Sequence, residues 1–249
     1  MDLKGKNVIV TGGANGIGRS LAEALVHEGA QVGVLDIDAG SLAKLQKEVE
    51  GIYCVCCDVS DSKKAKEATE EIYKHFKTID VLVNNAAIIH SSPLVSLVPG
   101  AIKTHDVKMW DKVISTNLSS VFYVSLPVIE KMILHRTRGV IINIGSIGAA
   151  GNPGQSAYSA AKAAISTLTV VWAKELGPLG IRVVCVAPGF TKTETTLNAM
   201  QENVLKEWVR KVPLRRLGEV NEIVDCILFA IKNEFVNGKT LGIDGGLTL

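Results

Sequence analysis

Five short runs of β-branched and aliphatic residues recur along the chain: Asn7-Val8-Ile9-Val10, Gln31-Val32-Gly33-Val34-Leu35, Asp80-Val81-Leu82-Val83, Gly139-Val140-Ile141-Ile142-Asn143-Ile144 and Ile181-Arg182-Val183-Val184-Cys185-Val186. Each is apolar at nearly every position rather than at every second one. A strand of that kind has both faces buried, as in a parallel sheet covered on two sides. Segments of helical period separate the runs, the first from about Gly16 to Glu28. Strand–helix alternation of this kind predicts a single-domain doubly wound α/β sheet of about seven strands over residues 1–249, with helices on both faces. With 249 residues and 47% hydrophobic content, the chain is long enough for one such core and short for two.

The remaining composition excludes more than it selects. A net charge of +2 implies neither a nucleic-acid groove nor an acidic partner. No uninterrupted apolar run reaches bilayer length, so membrane insertion is not expected. Met1-Asp2-Leu3-Lys4-Gly5-Lys6 has no apolar signal core, and the expected location is cytoplasmic, an organelle matrix remaining open. Three of five cysteines, Cys54, Cys56 and Cys57, share one short segment. No second ligand pair stands at zinc spacing, so a core strand and no metal is the expectation.

Strand one runs into Thr11-Gly12-Gly13-Ala14-Asn15-Gly16-Ile17-Gly18 and then a helix. Glycines 12, 16 and 18 allow a tight turn and close backbone approach to a pyrophosphate, and the helix N-terminus adds N–H donors and positive potential. Asp36 ends strand two, about 20 residues beyond the turn, where a carboxylate accepts hydrogen bonds from an adenosine ribose and repels a 2′-phosphate. No lysine or arginine follows closely, Ile37 comes next, and Asn15 is neutral. These features favour NAD over NADP. Asp58-Val59 follows strand three and is placed to cap the adenine, while Asn85-Ala86, after strand four, lets backbone approach the cofactor.

Tyr158 and Lys162, four apart in a helical stretch, share one helix face. A free phenol has a pKa of about 10, and a neighbouring ammonium is expected to lower it into the range of a useful base. Ser146, just past the strand ending at Ile144, belongs at the same sheet edge, where its hydroxyl can donate to a reacting oxygen.

Over its full length the sequence resembles the short-chain dehydrogenase/reductase family. Thr11–Gly18 is similar to that family's cofactor turn, Asn84-Asn85-Ala86-Ala87 to its Asn-Asn-Ala-Gly motif (with Ala87 in place of glycine), and Ser146, Tyr158 and Lys162 to its catalytic set. The resemblance implies that Asn117 kinks the long central helix and supports a proton relay. It implies that Lys162 also anchors the nicotinamide ribose, and that Pro188-Gly189 with Thr191 and Thr193 meets the nicotinamide amide. It implies a homotetramer or homodimer through helices at about 108–135 and 156–176. It implies interconversion of a secondary alcohol and a ketone on a small hydrophobic substrate.

Two segments bear on substrate. Ser91–Asp106 interrupts the rhythm as a long loop (a substrate loop over about 88–107), carrying Leu94, Val95, Leu97 and Val98; His90 precedes it, and Lys103 and Lys108 fall in or beside it. A lid over about 190–212 carries Leu197, Met200, Val204, Leu205 and Trp208 at helical spacing. The insertion and Asn233-Glu234-Phe235-Val236-Asn237-Gly238 resemble type 2 3-hydroxyacyl-CoA dehydrogenases, which also oxidise hydroxysteroids, and this is the favoured substrate class. Pro213-Leu214-Arg215-Arg216-Leu217-Gly218 resembles ketoacyl-carrier-protein reductases, the alternative, which usually prefer NADP. An NAD-binding regulator without turnover is the alternative of another class.

Overall fold

In a computed structural model, residues 1–193 and 202–248 are described. Seven strands form one parallel sheet: β1 (Asn7–Thr11), β2 (Gln31–Asp36), β3 (Ile52–Cys56), β4 (Val81–Asn84), β7 (Val140–Ile144), β8 (Arg182–Pro188) and β9 (Thr240–Ile243). Their spatial order is β3-β2-β1-β4-β7-β8-β9. Strand order reverses between β1 and β4, so a crevice opens there at the carboxyl edge, the usual ligand position in open α/β sheets.

The two-sided burial read from the apolar runs is observed. Val8, Val10, Val32, Val34, Val81, Val83, Val140 and Ile142 join one core with α1 (Gly16–His27), α2 (Ala39–Glu48) and a late helix, Val220–Lys232. Ile9, Leu35, Leu82, Ile141 and Val183 face the other way, onto α3 (Ser62–Phe76), α5 (Ser120–Leu134) and α6 (Ser156–Leu176). Successive strand residues point to opposite faces, so a strand apolar throughout serves both layers.

A chain of polar side chains crosses the second layer. Asn84 Nδ2 donates to Ser125 Oγ at 3.0 Å and to Asn143 Oδ1 at 2.9 Å, and Asn143 Nδ2 donates to Thr169 Oγ1 at 3.0 Å. These bonds tie β4 and β7 to α5 and α6. Asn84 is thereby a structural residue rather than a cleft residue.

Two expectations need correction. The interval 91–106 is not a plain loop: β5 (Val95–Val98) and β6 (Ala101–Thr104) form an antiparallel hairpin outside the main sheet, with Leu97 opposite Ile102. Its β-branched residues and the turn at Pro99-Gly100 explain it. The long helix expected at about 108–135 is observed. α4 (Val107–Ile114), a π-turn at Ser115–Ser119 and α5 form one continuous 28-residue helix, long and apolar enough to cross a bilayer, with 44% of its most apolar stretch buried against the body. Cys56 is exposed rather than core, because β3 is the sheet's edge strand; Cys57 is buried and Cys54 half-buried.

Of the lid, α7 (Glu202–Lys211) is described, followed by α8 (Val220–Lys232). The Trp208 ring packs on Phe190 at 4.8 Å between centroids, so that part of the apolar stripe covers the body. Leu197 and Met200 lie outside the described residues, as does the side chain of Val204.

Candidate active site

The crevice between β1 and β4 is a cleft of about 590 Å³. Its walls include Gly12, Asn15, Gly16, Ile17, Asp36, Ile37, Asp58, Val59, Asn85, Ala86 and Thr193, so eleven residues expected at a cofactor site meet in one cavity. The glycine turn is cut to shape. A Cβ on Gly18 would stand 2.1 Å from the Gly12 carbonyl oxygen and 2.5 Å from Asn85 Nδ2. Gly16 adopts φ +55° with open space where its Cβ would point. That open space at the start of α1 is a cradle that a side chain would fill.

Asn85 fixes the turn from the β4 side. Its Nδ2 donates to the carbonyls of Thr11 and Gly12 at 3.0 and 2.9 Å, while its own N–H and that of Ala86 donate to Thr11 Oγ1. The Asn85 Nδ2 group is therefore committed to the turn. Asp36 Oδ2 accepts the Ala14 N–H at 3.0 Å and Oδ1 accepts the Asp38 N–H at 3.1 Å, which aims the carboxylate along the turn. Ile37 is 67% exposed beside it. The nearest arginine in sequence, Arg19, donates to Glu23 and Glu48 and is not turned to Asp36. Bonds from Ser60 hold the Asp58 carboxyl below its ordinary range.

Ser146, Tyr158 and Lys162 come together where β7 meets α6. The Lys162 ammonium is buried and donates to the Ile144 carbonyl at 2.7 Å, with its nitrogen 5.8 Å from the Tyr158 ring centre. Burial lowers its pKa from 10.5 to about 8. Ser146 Oγ accepts the Gly148 N–H at 3.0 Å. The Tyr158 ring and Ser146 Oγ flank Gly148 so closely that a Cβ there would sit 3.2 and 3.3 Å from them. Tyr158 departs from the expectation. Burial raises its pKa above the ordinary phenol value, and a hydrogen bond with Ser146 only partly opposes this. The expected depression by Lys162 is not the governing effect, because the ammonium is directed at the Ile144 carbonyl and the phenol is desolvated.

Asn117 is fully buried in the π-turn. Its side chain pairs with the backbone of Ile88: Ile88 N–H donates to Oδ1 and Nδ2 donates to Ile88 O, both at 2.8 Å. Ile88 itself lines the cleft. Asn117 thus couples the central helix to the start of the substrate loop, and the wider helical coil at the π-turn makes room for it.

Eight expected site residues, Gly18, Asn117, Ser146, Tyr158, Lys162, Pro188, Gly189 and Thr191, stand apart from the cleft walls. Pro188 ends β8. Gly189 packs against Asp244, where a Cβ would come within 2.7 Å of the Asp244 Cα. Thr191 is buried, its hydroxyl donating to the Gly189 carbonyl, and it bridges to Gly218. Pro188, Gly189 and Thr191 shape the approach of Thr193, the member of the set on the wall. His90 stacks edge-on against His105 at 5.5 Å, within the loop. Phe235 is fully exposed, and Asn237 accepts the Val183 N–H, so the 233–238 segment braces β8. Lysine 112 on α4 was not anticipated. It lines the cleft one helical turn before Thr116, a relation legible only once α4 is known to border the crevice.

A family model described as enoyl-(acyl carrier protein) reductase matches residues 12–248. The chain belongs to the short-chain dehydrogenase/reductase family of oxidoreductases. It is 40% identical over 258 residues to a 3-oxoacyl-[acyl-carrier-protein] reductase of Thermotoga maritima, with both chains wholly covered. Proteins of the same name from Chlamydia trachomatis and Staphylococcus epidermidis are 38% and 37% identical, each with 98% of its length covered, over 98% and 97% of this chain.

Proposed function

We propose that this chain reduces the 3-oxo group of an acyl thioester to a 3-hydroxy group, with NADH as the cofactor and Tyr158 as the proton donor. The observation that carries the reading is the meeting of Tyr158, Ser146 and Lys162 at the carboxyl edge of β7, in a chain whose full-length relatives bear the name 3-oxoacyl-[acyl-carrier-protein] reductase. It favours the carrier-protein alternative over the hydroxysteroid and 3-hydroxyacyl-CoA class.

Gly12, Asn15, Gly16, Ile17 and Gly18 would hold the pyrophosphate, Asp36 and Ile37 the adenosine ribose, and Asp58 and Val59 the adenine. The backbone at Asn85 and Ala86, with Pro188, Gly189, Thr191 and Thr193, would border the nicotinamide half. The bound nicotinamide supplies the hydride. Ser146 donates a hydrogen bond to the substrate carbonyl and stabilises the charge growing on its oxygen. Tyr158 hands its proton to that oxygen as the alcohol forms. A phenol whose pKa is pushed up by burial is neutral at physiological pH, which suits a donor in the reducing direction. Lys162 sets a buried positive charge beside the phenol, stabilises the phenolate left behind and anchors the cofactor ribose. Asn117 supports return of the proton from solvent.

Asp36 supports NADH, because its carboxylate would repel a 2′-phosphate and Ile37 offers no cation to hold one. The reading also places a homotetramer or homodimer in the cytoplasm. Its contact face would be the apolar surface of α5 and α6, where Phe122, Leu126, Val170 and Val171 are exposed beside a groove of about 490 Å³.

A second reading keeps the chemistry and reverses its direction, on 3-hydroxyacyl-CoA or a hydroxysteroid. It is favoured by the exposed apolar hairpin, with Leu97 82% exposed. Following cofactor absorbance with acetoacetyl-CoA, longer 3-oxoacyl thioesters and ketosteroids, against NADH and NADPH, tests both. Thioester reduction with NADH is expected. Preference for NADPH overturns the Asp36 argument, and turnover confined to steroids overturns the substrate.

A further inference from the structure

We propose that Gln155 is a positioning residue: it latches the substrate loop to the helix that carries Tyr158. Gln155 occupies the N-cap of α6, three residues ahead of Tyr158, yet its side chain makes no capping bond. Its Nε2 donates instead to Ser91 Oγ at 3.1 Å, and its Oε1 accepts Asn152 Nδ2 at 3.2 Å. Beside it, the Ser92 N–H donates to the Gly154 carbonyl at 2.7 Å. Asn152 N–H donates to Ser159 Oγ at 3.3 Å, so the network runs from the loop into α6 next to Tyr158.

Among the described residues the start of the loop is also held at Ile88, by Asn117. Residues 88–92 therefore have two fixed points, both on helices that carry candidate catalytic residues. Beyond Ser92 the hairpin bonds to itself, His105 N–H closing on the Leu94 carbonyl at 3.0 Å. Where the hairpin stands relative to α6 depends on where residues 91–92 are pinned. Releasing Ser91 leaves the Ser92–Gly154 backbone bond to hold this end, so the hairpin is loosened without touching Tyr158, Ser146 or Lys162. A Gln that forgoes its cap to bridge two segments sets the approach of the substrate, not the proton transfer.

This inference rests on the proposed reduction of a 3-oxoacyl thioester, and its test separates the two. Gln155→Ala, Ser91→Ala, the double variant and Gln155→Glu are compared by steady-state kinetics with 3-oxooctanoyl-CoA and NADH, and by amide hydrogen exchange. The loss of one such hydrogen bond predicts a rise of about 3- to 10-fold in KM for the ketone in each alanine variant. The double variant is no worse than Gln155→Ala alone, because Ser91→Ala breaks a link that Gln155→Ala has already removed. Gln155→Glu, able to accept from both Ser91 and Asn152, restores the wild-type KM. KM for NADH and the pH profile of kcat stay in place, and exchange at Ser92 quickens in both alanine variants. A raised KM in Gln155→Ala with an unmoved one in Ser91→Ala overturns the latch in favour of direct substrate contact, and unchanged exchange in both overturns it outright. If the wild type turns over no thioester, the reduction reading fails while the exchange data still decide the latch.

Discussion

Replacing Lys162 with methionine should change the pH dependence of stability in a calculable way. Burial takes the Lys162 pKa from 10.5 to about 8, so the folded chain holds this proton less tightly than the unfolded chain. Below pH 8 both states are protonated, and the folded state bears the full cost of a buried ammonium. At about 1.4 kcal/mol per pKa unit, that cost is about 3 kcal/mol. Between pH 8 and 10.5 only the unfolded chain keeps the proton, so wild-type stability from this group rises with pH, and above 10.5 the cost has gone. Methionine has similar length and does not titrate. It leaves the Ile144 carbonyl unpaired, a penalty of about 1–3 kcal/mol that is the same at every pH. The absolute gain at pH 7 is therefore small, but the difference between the proteins must move. From pH 7 to pH 10 wild type should gain about 2–3 kcal/mol on Lys162→Met, which for a chain of this size is about 5–10 °C in Tm. Thermal denaturation of both proteins across that range reads this directly. Parallel curves would refute the assignment of a buried, charged Lys162.

Other perturbations follow from the same geometry. Tyr158→Phe should lower kcat by about 10²–10⁴-fold, the range for loss of a general acid, and leave NADH affinity within about twofold, checked by turnover and cofactor fluorescence titration. Asp36→Ala removes the carboxylate facing the ribose and should shift the NADPH-to-NADH ratio of kcat/KM by at least about tenfold, the equivalent of about 1.4 kcal/mol of lost repulsion. Gly18→Ala puts a methyl group 2.1 Å from the Gly12 carbonyl oxygen and should abolish cofactor binding and cost about 1–3 kcal/mol in stability, seen by titration and melting. Phe122→Asp with Leu126→Asp charges the apolar face of α5 and should shift a tetramer or dimer toward monomer in light scattering.

The layers of this fold were written in the β-branched runs, because only a strand buried on both faces is apolar at successive positions. The glycine turn, Asp36, Asp58-Val59 and Asn85-Ala86 were legible for a related reason. Each ends or closely follows a strand, and every parallel strand delivers these residues to the same sheet edge. Tyr158 and Lys162 needed only the helical period, and Ser146 only the end of β7.

Relations between distant segments had no such local signature. The sequence places Asn117 mid-helix, but its double bond to Ile88 exists only because the π-turn and the end of β4 are packed together. It places Lys162 near Tyr158, but whether the ammonium or desolvation governs the phenol depends on burial and on the Ile144 carbonyl, and desolvation prevails. Ser91 and Gln155 stand 64 residues apart in sequence and bond to each other only in the folded chain. The sequence by itself determined the sheet, the edge that holds the candidate cofactor cleft and the candidate reacting groups, since those depend on periodicity and on which residue follows which strand. Tertiary structure alone decided the charge environment of the site, the hairpin and the clamping of the substrate loop, since those depend on which surfaces the packed layers bring within a few ångströms of one another.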